Sequence, residues 1–197
     1  MSPELTACAL LILAYLLGSV SAAIVVCRVL GLPDPRTDGS RNPGTTNVLR
    51  LGGKPAALMT LAGDMLKGVI PVLLGHHLGL GDAWLAGIGF AAFIGHLYPV
   101  FFGFEGGKGV ATALGVLVAL HWPLGLAALA LWLAGFLLTR ISSVGALTVF
   151  VAMPLLSWLW VPAACPGISV MSLMLLWRHR ENIRALVGGT ERSFGKR

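Results

Sequence analysis

Four short polar segments of the chain carry the residue types that bind phosphate groups. The first runs from Asp38 to Arg50 and includes Ser40, Thr46 and Asn47. Small residues let backbone N–H groups approach an anion, hydroxyls donate hydrogen bonds, and a guanidinium pairs a phosphate through two parallel hydrogen bonds. The segment therefore predicts an anion site, although the same residue types also form turns and helix caps.

The second segment is a glycine-rich loop that surrounds one lysine. Gly106, Gly107, Lys108 and Gly109 stand directly before an apolar run that begins at Val110. Free N–H groups and the dipole at the start of a helix attract anions, so one interpretation of this loop is a phosphate cradle. Its spacing differs from that of a Walker A loop. The alternative is a flexible turn that carries a lysine on the cytoplasmic side.

The remaining candidates lie at other ends of the apolar runs. His96 precedes the glycine-rich loop, while Ser142 and Ser143 form a short connector whose hydroxyls could instead cap the next helix. His179 and Asn182 open the basic tail, three residues apart and therefore on one face of a helix. A purely electrostatic lipid anchor does not need such a pair, so the tail is a further candidate part of the site.

The composition decides what kind of protein positions these residues. The chain has 197 residues, of which 56% are hydrophobic and 11% are charged, and 26 residues are glycine. Soluble domains have about 25% charged residues, so an ordinary soluble globule is excluded, as are a coiled coil and a disordered chain. The mean hydropathy is +0.85. We therefore expect an all-α polytopic membrane protein in which residues 1–197 form a single integral-membrane domain.

Long apolar runs supply the membrane spans of this protein. They are Leu5–Cys27, Pro55–Gly75, Trp84–Phe102, Val110–Thr139, Val144–Val161 and Ala164–Trp177. As one helix, the fourth run would be about 45 Å long, which exceeds a bilayer core of about 30 Å. Pro123 favours a break that makes this run a hairpin and gives seven crossings, while a single tilted crossing, which would place Arg140 and the tail outside, is the alternative. Asp64 and Lys67 lie inside the second run, where we expect them to neutralise each other and brace the bundle.

The positions of the cations set the orientation of these crossings. With seven crossings, the connectors at 28–54, 103–109 and 140–143 share one side with the tail from Arg178, and they carry five, one, one and six Lys or Arg residues. The connectors on the other side carry none. By the positive-inside rule, about seven transmembrane helices are expected, with the N-terminus outside and the C-terminus in the cytoplasm.

All candidate residues thus fall on the cytoplasmic face, where cations, glycines, hydroxyls and histidines would surround a phosphorylated substrate. Two functions fit such a site: an enzyme that acts on lipid intermediates, or a transporter of a phosphorylated small molecule. A transporter usually has polar groups at the membrane midplane and internal repeats. In this chain the polar residues crowd one side and no internal repeat is visible, so the enzyme is favoured.

Three motifs occur in a fixed order along the chain. They are Gly39-Ser40-x-Asn42-Pro43-Gly44-x-Thr46-Asn47-Val48-x-Arg50, then Gly95-His96-x-x-Pro99 with Gly106-Gly107-Lys108-Gly109-Val110-Ala111-Thr112, and finally Arg178-His179-x-x-Asn182-Ile183-x-Arg184 with Gly189-x-Glu191. In this order they resemble the cytoplasmic motifs of the bacterial acyl-phosphate-dependent glycerol-3-phosphate acyltransferases, and the resemblance covers essentially the whole chain. The chain departs from the pattern at four positions. The family usually has glycine in place of Arg41, alanine in place of Thr45, a basic residue in place of Glu105 and often proline in place of Ser21.

The resemblance implies a reaction in which the sn-1 hydroxyl of glycerol 3-phosphate attacks the carbonyl of a fatty acyl phosphate. Lysophosphatidate and phosphate leave, in the first step of phospholipid biosynthesis. The resemblance further implies a multi-pass protein of the bacterial inner membrane whose active site faces the cytoplasm, with no metal and no cofactor. Its partners would be the two substrates and membrane lipid, but no nucleic acid. The soluble enzyme that makes acyl phosphate is a further candidate partner.

The resemblance also implies roles for the candidate residues. The implied catalytic residues are Ser40, Arg50, Lys108, His179 and Asn182. The implied substrate-binding residues are Thr46, Asn47, His96, Gly106, Gly107, Gly109, Ser142, Ser143 and Glu191. The glycine-rich loop would hold the leaving phosphate, while Ser40, Arg50 and Asn182 would orient glycerol 3-phosphate. The general base is left open between His179, His96 and the substrate's own phosphate, with substrate assistance favoured.

Overall fold

The computed structural model describes residues 2–194, which form nine α-helices and no β-strand. The helices are α1 (Pro3–Gly18), α2 (Ala22–Val29), α3 (Thr45–His77), α4 (Asp82–Leu97), α5 (Val110–Leu120), α6 (Trp122–Thr139), α7 (Ser142–Trp160), α8 (Cys165–Arg178) and α9 (Arg180–Val187). Two short 3₁₀ turns, Val100–Phe102 and Pro162–Ala164, follow α4 and α7. The predicted all-α class is confirmed for this part of the chain.

Five helical stretches among the described residues are long and apolar enough to cross a membrane. They are Pro3–Val29, Thr45–His77, Asp82–Phe102, Trp122–Thr139 and Ser142–Trp160. α5, with 11 residues, and α8, with 14 residues, are shorter. Large apolar side chains cover the outside of the bundle, and Leu138, Val151 and Trp158 are 86%, 68% and 62% exposed. Such a continuous apolar exterior fits contact with lipid rather than with water.

The first span is not one helix, which corrects the prediction of an unbroken run over Leu5–Cys27. α1 and α2 are separated by three residues. A β-carbon at Gly18 would overlap the backbone of Ala92, so the end of α1 lies directly against α4. The break leaves the Val20 carbonyl without a helical partner, and Lys67 Nζ donates a hydrogen bond to it over 3.0 Å. Contacts with two other helices therefore stabilise the break.

The apolar run Val110–Thr139 forms two helices, as predicted. α5 ends at Leu120 and α6 begins at Trp122, while His121 between them is extended, with φ −156° and ψ 100°. Pro123 lies in the first turn of α6, where a backbone N–H would have no helical partner in any case. The hairpin brings the start of α5 and the end of α6 to the same side of the bundle.

The second span begins earlier than predicted, at Thr45 rather than at Pro55. The polar segment that ends in Arg50 is therefore partly helical and not entirely a loop. The helix is kinked at Gly53, where φ is 74° and ψ is −170°. The kink separates a short polar part of α3 from its long apolar part. Arg50 thus lies on the polar part of α3 before the kink, at the end of the bundle.

Small residues bring the central helices of the bundle close together. A β-carbon at Gly68 of α3 would overlap the Thr112 carbonyl of α5, and one at Gly115 of α5 would overlap the Met65 carbonyl of α3. Such close backbone approach is typical of helix pairs inside membranes. The pair α3–α5 therefore fixes the start of α5, which directly follows the glycine-rich loop.

Candidate active site

The glycine-rich loop packs against the end of α4, and this contact leaves no space for larger residues. β-Carbons at Gly106 and Gly107 would overlap the carbonyl and the ring of His96, respectively. The backbone of Gly109 has a φ of 85°, which residues with a side chain rarely adopt, and a β-carbon there would overlap Phe93. Packing alone thus explains why glycines occupy these positions, whatever ligand the loop binds.

His96 is buried behind this loop and joins it to a charged network inside the bundle. Its Nδ1 lies 3.2 Å from Thr112 Oγ1 and 3.5 Å from Asp64 Oδ1. Lys67 Nζ lies 2.9 Å from the same carboxylate oxygen, so Asp64 and Lys67 form the ion pair that the sequence predicts. His96 supports the loop from the side of the bundle, and its contact with a substrate stays a prediction.

Four of the predicted site residues form a continuous chain of hydrogen bonds. Lys108 Nζ donates to Asn182 Oδ1, which joins the glycine-rich loop to α9. Asn182 Nδ2 donates to Glu191 Oε1 over 2.6 Å, and Ser143 Oγ donates to the same oxygen over 2.7 Å. Burial lowers the pKa of the Lys108 ammonium, and the carboxylate of Glu191 opposes this effect. Residues that are distant in the sequence thus meet at one end of the bundle.

The start of α3 reaches this group through Thr46. Its Oγ1 lies 3.3 Å from Ser142 Oγ, and Ser142 is the neighbour of Ser143 in the first turn of α7. The alternative role of the two serines as helix caps is not observed, because Ile141 occupies the capping position without a side-chain hydrogen bond to the helix. The hydroxyls of α3 and α7 therefore line the same region as Lys108.

Asn47 and Ser40 shape the polar segment before α3. Asn47 is 1% exposed, and its amide donates to the carbonyls of Pro35 and Asp38, each over 3.0 Å. Its Oδ1 accepts a hydrogen bond of 2.8 Å from the backbone N–H of Ser40. The Ser40 side chain is exposed and has no hydrogen-bond partner among residues 2–194. The structure does not bring these two residues into the hydrogen-bonded chain, and their contacts with substrate stay predictions.

Arg50 is contacted by a residue that the sequence analysis missed. Its guanidinium carbon lies 5.8 Å from the ring centroid of Phe194, which is within the range of a cation–π contact. The backbone N–H of Phe194 donates to the Arg140 carbonyl over 2.7 Å. No motif includes Phe194, and its position depends on the tail folding back onto the bundle. The sequence offers no local signal for such a contact.

Arg178 is a second residue that the sequence analysis did not assign to the site, although it opens the third motif. Its Nη2 donates to the carbonyls of Gly106 and Gly107, each over 2.8 Å. The carbonyl and the following N–H of a trans peptide point in opposite directions. The N–H groups of Gly107 and Lys108 are therefore directed away from Arg178. The position of Arg178 at the head of a motif was the signal that could have identified it.

A cavity of about 380 Å³ lies beside the loop where Arg178 contacts it. Its lining consists of Arg36, Arg41, Pro43, Phe104, Glu105, Gly106 and Arg178. Arg36 forms an ion pair of 2.7 Å with Asp34 and lies 3.6 Å from Glu105. Hydrogen bonding to Arg36 lowers the pKa of the Asp34 carboxyl. Arg41 and Glu105, two of the departures from the motif pattern, thus face one cavity.

His179 is buried at the junction of α8 and α9, where the backbone sets its tautomer. Its Nδ1 lies 2.8 Å from the Leu175 carbonyl, so Nδ1 carries the proton and Nε2 is able to accept one. Burial, together with the positive charge of Lys108, lowers the pKa of His179 to about 4. The ring is therefore neutral near pH 7 and can accept a hydrogen bond from a ligand.

The arrangement has the chemistry of a phosphate site. Arg50 on the polar turn of α3 and Lys108 in the glycine-rich loop supply its cations, while Arg178 holds the loop carbonyls from the opposite side. Preorganised cations and hydrogen-bond donors of this kind bind phosphate and stabilise the charge that develops as a phosphate leaves. No cluster of three or more His, Cys, Asp or Glu side chains that could hold a metal ion occurs in the described part of the chain.

Comparison with known proteins finds close similarity over nearly the whole chain. The family described as glycerol-3-phosphate acyltransferase has a sequence model that matches residues 8–189. A glycerol-3-phosphate acyltransferase of Methylococcus capsulatus is 55% identical over 184 residues, which cover 92% of this chain and 93% of that protein. One of Thioalkalivibrio sulfidiphilus is 54% identical over 198 residues, which cover 98% of this chain and 96% of that protein.

Solved structures give the same result. The crystal structure of PlsY (YgiH), an integral membrane glycerol 3-phosphate acyltransferase, in its glycerol 3-phosphate form has a TM-score of 0.91 at 39% sequence identity. The alignment covers 96% of each chain. The lysophosphatidic acid form of that protein has a TM-score of 0.89 with the same identity and coverage. Sequence and fold therefore point to one family.

Proposed function

This chain belongs to the glycerol-3-phosphate acyltransferase family, and on this premise we propose that it acylates glycerol 3-phosphate with acyl phosphate as the donor. The sn-1 oxygen forms an ester bond with the acyl carbon, and the bond from that carbon to the phosphate oxygen breaks. Lysophosphatidate and inorganic phosphate are the products. Similarity to a protein crystallised with glycerol 3-phosphate and in a lysophosphatidic acid form supports this choice of acceptor and product.

The observation that carries the proposal is the hydrogen bond from Lys108 to Asn182. It holds the only lysine of the glycine-rich loop at the centre of the cationic site. Both substrates carry phosphate, so the reaction needs several cations. An acyl phosphate is already activated, so the reaction needs no covalent intermediate on a serine or cysteine. Positioning and charge stabilisation then supply the catalysis.

The leaving phosphate is assigned to the glycine-rich loop. Arg178 holds the carbonyls of Gly106 and Gly107, so the N–H groups of Gly107 and Lys108 are directed to the other side. There they can donate to phosphate oxygens together with the Lys108 ammonium. Gly109 opens α5, whose first turn adds the partial positive charge of a helix N-terminus.

Glycerol 3-phosphate, which accepts the acyl group, is assigned to Ser40, Arg50 and Asn182. Lys108 would contact both its phosphate and the leaving phosphate. The hydroxyls of Thr46, Ser142 and Ser143 complete a polar rim around glycerol 3-phosphate. Glu191 orients Asn182 through a hydrogen bond of 2.6 Å. His96 acts from behind the loop, and Asn47 acts by holding the segment that carries Ser40.

A phosphate of the substrate is assigned as the base that accepts the proton of the attacking hydroxyl. His179 is the alternative base, since its Nε2 is able to accept a proton. A general base works best when its pKa lies near the operating pH, and burial lowers the pKa of His179 to about 4. His179 therefore fits better as a hydrogen-bond acceptor that orients the hydroxyl.

The same proposal includes an orientation in the bacterial inner membrane. Residues 1–197 form one domain that crosses seven times, with α1 and α2 together as the first crossing and the shorter α5 and α8 as two of the others. The N-terminus then lies outside, and the site and the C-terminus lie in the cytoplasm, with the basic connectors. A soluble enzyme that forms acyl phosphate would supply the donor on that side. A reporter tag in the His76–Asp82 connector should respond as external, and one on the tail as cytoplasmic.

The test is acyl transfer by the purified protein in lipid with labelled glycerol 3-phosphate. Palmitoyl phosphate and palmitoyl-CoA are offered separately, and Lys108→Ala is compared with the unaltered protein. We expect lysophosphatidate from the acyl phosphate alone and no product from Lys108→Ala that is folded and extractable. Formation of lysophosphatidate from palmitoyl-CoA alone would contradict the assignment of acyl phosphate as the donor. Binding of glycerol 3-phosphate without any acyl transfer would point to the alternative, a transporter of a phosphorylated small molecule.

A further inference from the structure

The last residues that the structure describes fold back across the proposed site. We call residues 189–194 the C-terminal strap. At its start, Glu191 accepts hydrogen bonds from Asn182 and Ser143 over 2.6 and 2.7 Å. At its end, the backbone N–H of Phe194 donates to the Arg140 carbonyl over 2.7 Å. The strap is therefore held at two points, one on α9 and α7 and the other on the α6–α7 connector.

The second attachment fixes the ring of Phe194. Arg140 adopts a left-handed backbone conformation with a φ of 59° at the end of α6, and its carbonyl accepts the bond from Phe194. The ring meets Phe136 of α6 edge to face, with ring centroids 5.6 Å apart and an interplanar angle of 77°. Backbone and side chain of Phe194 are thus both held by the end of α6.

Arg50 lies over this ring, with its guanidinium carbon 5.8 Å from the centroid. Stacking on an aromatic face leaves the N–H groups at the edge of a guanidinium available for other partners. A carboxylate partner would occupy those same N–H groups, and no described carboxylate lies within 4.0 Å of Arg50. The contact therefore restrains the guanidinium without using the N–H groups that a phosphate needs.

We propose that Phe194 is a positioning residue that holds the Arg50 guanidinium in the orientation that binds the phosphate of glycerol 3-phosphate. The inference rests on the proposed function, in which Arg50 contacts that phosphate. An arginine on a kinked, polar helical turn has many side-chain conformations, and ordering them on binding weakens the affinity. The ring restricts those conformations before the substrate arrives. The C-terminal strap is in this sense a part of the acceptor site.

The test separates the aromatic face of Phe194 from its bulk. Phe194→Leu keeps an apolar side chain against Phe136 but removes the ring, whereas Phe194→Tyr keeps the ring. We expect Phe194→Leu to raise KM for glycerol 3-phosphate about 3- to 30-fold, the range of a cation–π contact. The KM for acyl phosphate and kcat should stay within about twofold, and Phe194→Tyr should restore the KM for glycerol 3-phosphate.

A matched control and a second variant guard against a general loss of structure. Phe101→Ala removes a phenylalanine that is 58% exposed in the 3₁₀ turn after α4, away from the strap. It should change neither KM. Phe136→Leu removes the ring that supports Phe194 and should raise KM for glycerol 3-phosphate by a smaller factor. An unchanged KM in Phe194→Leu, or an equal rise of both KM values, would overturn the proposal.

Equilibrium binding of labelled glycerol 3-phosphate distinguishes this proposal from the function on which it rests. If Arg50→Ala binds the substrate as tightly as the unaltered protein does, the role of Arg50 in the proposed function is wrong. If Arg50→Ala binds more weakly but Phe194→Leu binds normally, only the role of Phe194 is wrong. We expect both to bind more weakly, and Phe194→Leu to cause no further weakening when added to Arg50→Ala.

Discussion

Asn182 Nδ2 donates a hydrogen bond of 2.6 Å to Glu191 Oε1, and this bond joins the last helix to the segment that follows it. The other atom of the amide, Oδ1, accepts a hydrogen bond from Lys108. One side chain thus lies between an ammonium and a carboxylate. The proposed site requires a protonated Lys108, whose pKa is lowered by burial and raised by the charge of Glu191.

Glu191→Gln tests this arrangement because it keeps an acceptor oxygen but removes the negative charge. We expect the pKa of Lys108 to fall further. Lys108 then loses its proton at a lower pH than in the unaltered protein, and activity is lost with it. The pH profile of kcat/KM should show its alkaline limb displaced to lower pH. Glu4→Gln, at the exposed start of α1, should leave that limb in place. An unmoved limb in Glu191→Gln would mean that Lys108 does not titrate under the influence of Glu191.

Gly107→Ala tests the packing of the glycine-rich loop on α4. The new β-carbon would overlap the ring of His96 and lie 2.7 Å from the Pro43 carbonyl, so the loop must move. A displacement of about 1 Å in a catalytic site can lower the rate about 100-fold, and we expect a loss of this size in kcat/KM for acyl phosphate. The control is Gly81→Ala, because Gly81 has ordinary extended backbone angles and open space at the β-carbon. Equal activity of the two variants would contradict the packing explanation.

The ion pair between Asp64 and Lys67 predicts a stability effect that depends on both partners. Asp64→Leu leaves the ammonium of Lys67 buried without its carboxylate, which costs about 3–5 kcal/mol of the free energy of unfolding. Replacing both residues, as Asp64→Leu with Lys67→Met, removes the unpaired charge and should recover much of that loss. Thermal unfolding in detergent, followed by tryptophan fluorescence, compares the three proteins. Lys67→Met alone measures the cost of losing the hydrogen bond to the Val20 carbonyl. A double variant less stable than Asp64→Leu by more than that cost would show that the pair is not the source of the effect.

The helix break at His121 was predictable, whereas the break after Gly18 was not. The first follows from local facts, namely a run too long for the bilayer and a proline in its middle. The second occurs in an uncharged segment and is stabilised by tertiary contacts, since Gly18 packs on α4 and Lys67 donates to the Val20 carbonyl. Local sequence patterns predict structure well where the cause is local.

The same division holds for the candidate site. Lys108 and Asn182 were assigned from motifs, and the structure brings them into contact. Phe194 lies outside every motif, and its contact with Arg50 depends on how the tail returns to the bundle. Asn47 is a residue inside a motif whose contacts the motif does not reveal. Its motif position suggests a substrate contact, but its amide donates to carbonyls of the loop before α3. A motif identifies a constrained position but not the partner that constrains it.

His179 predicts how the stability of the protein changes in mild acid. Its pKa falls from 6.5 in the unfolded chain to about 4 in the folded protein, mainly because of burial. Between these values the unfolded chain binds the proton and the folded protein does not. The lowered pKa of His179 therefore costs the folded protein little stability above pH 6.5, and the free energy of unfolding decreases as the pH falls through this interval toward about 4.

Comparison of the unaltered protein with His179→Gln measures this contribution. The unaltered protein should lose about 2 kcal/mol of its free energy of unfolding between pH 7 and 5 through this residue alone. His179→Gln should show a correspondingly smaller loss over the same interval. His77→Gln, which replaces an exposed histidine at the end of α3, should retain the full loss. Equal pH dependence in all three proteins would mean that His179 is not kept neutral by burial, and its proposed role as a hydrogen-bond acceptor for the attacking hydroxyl would lose its basis.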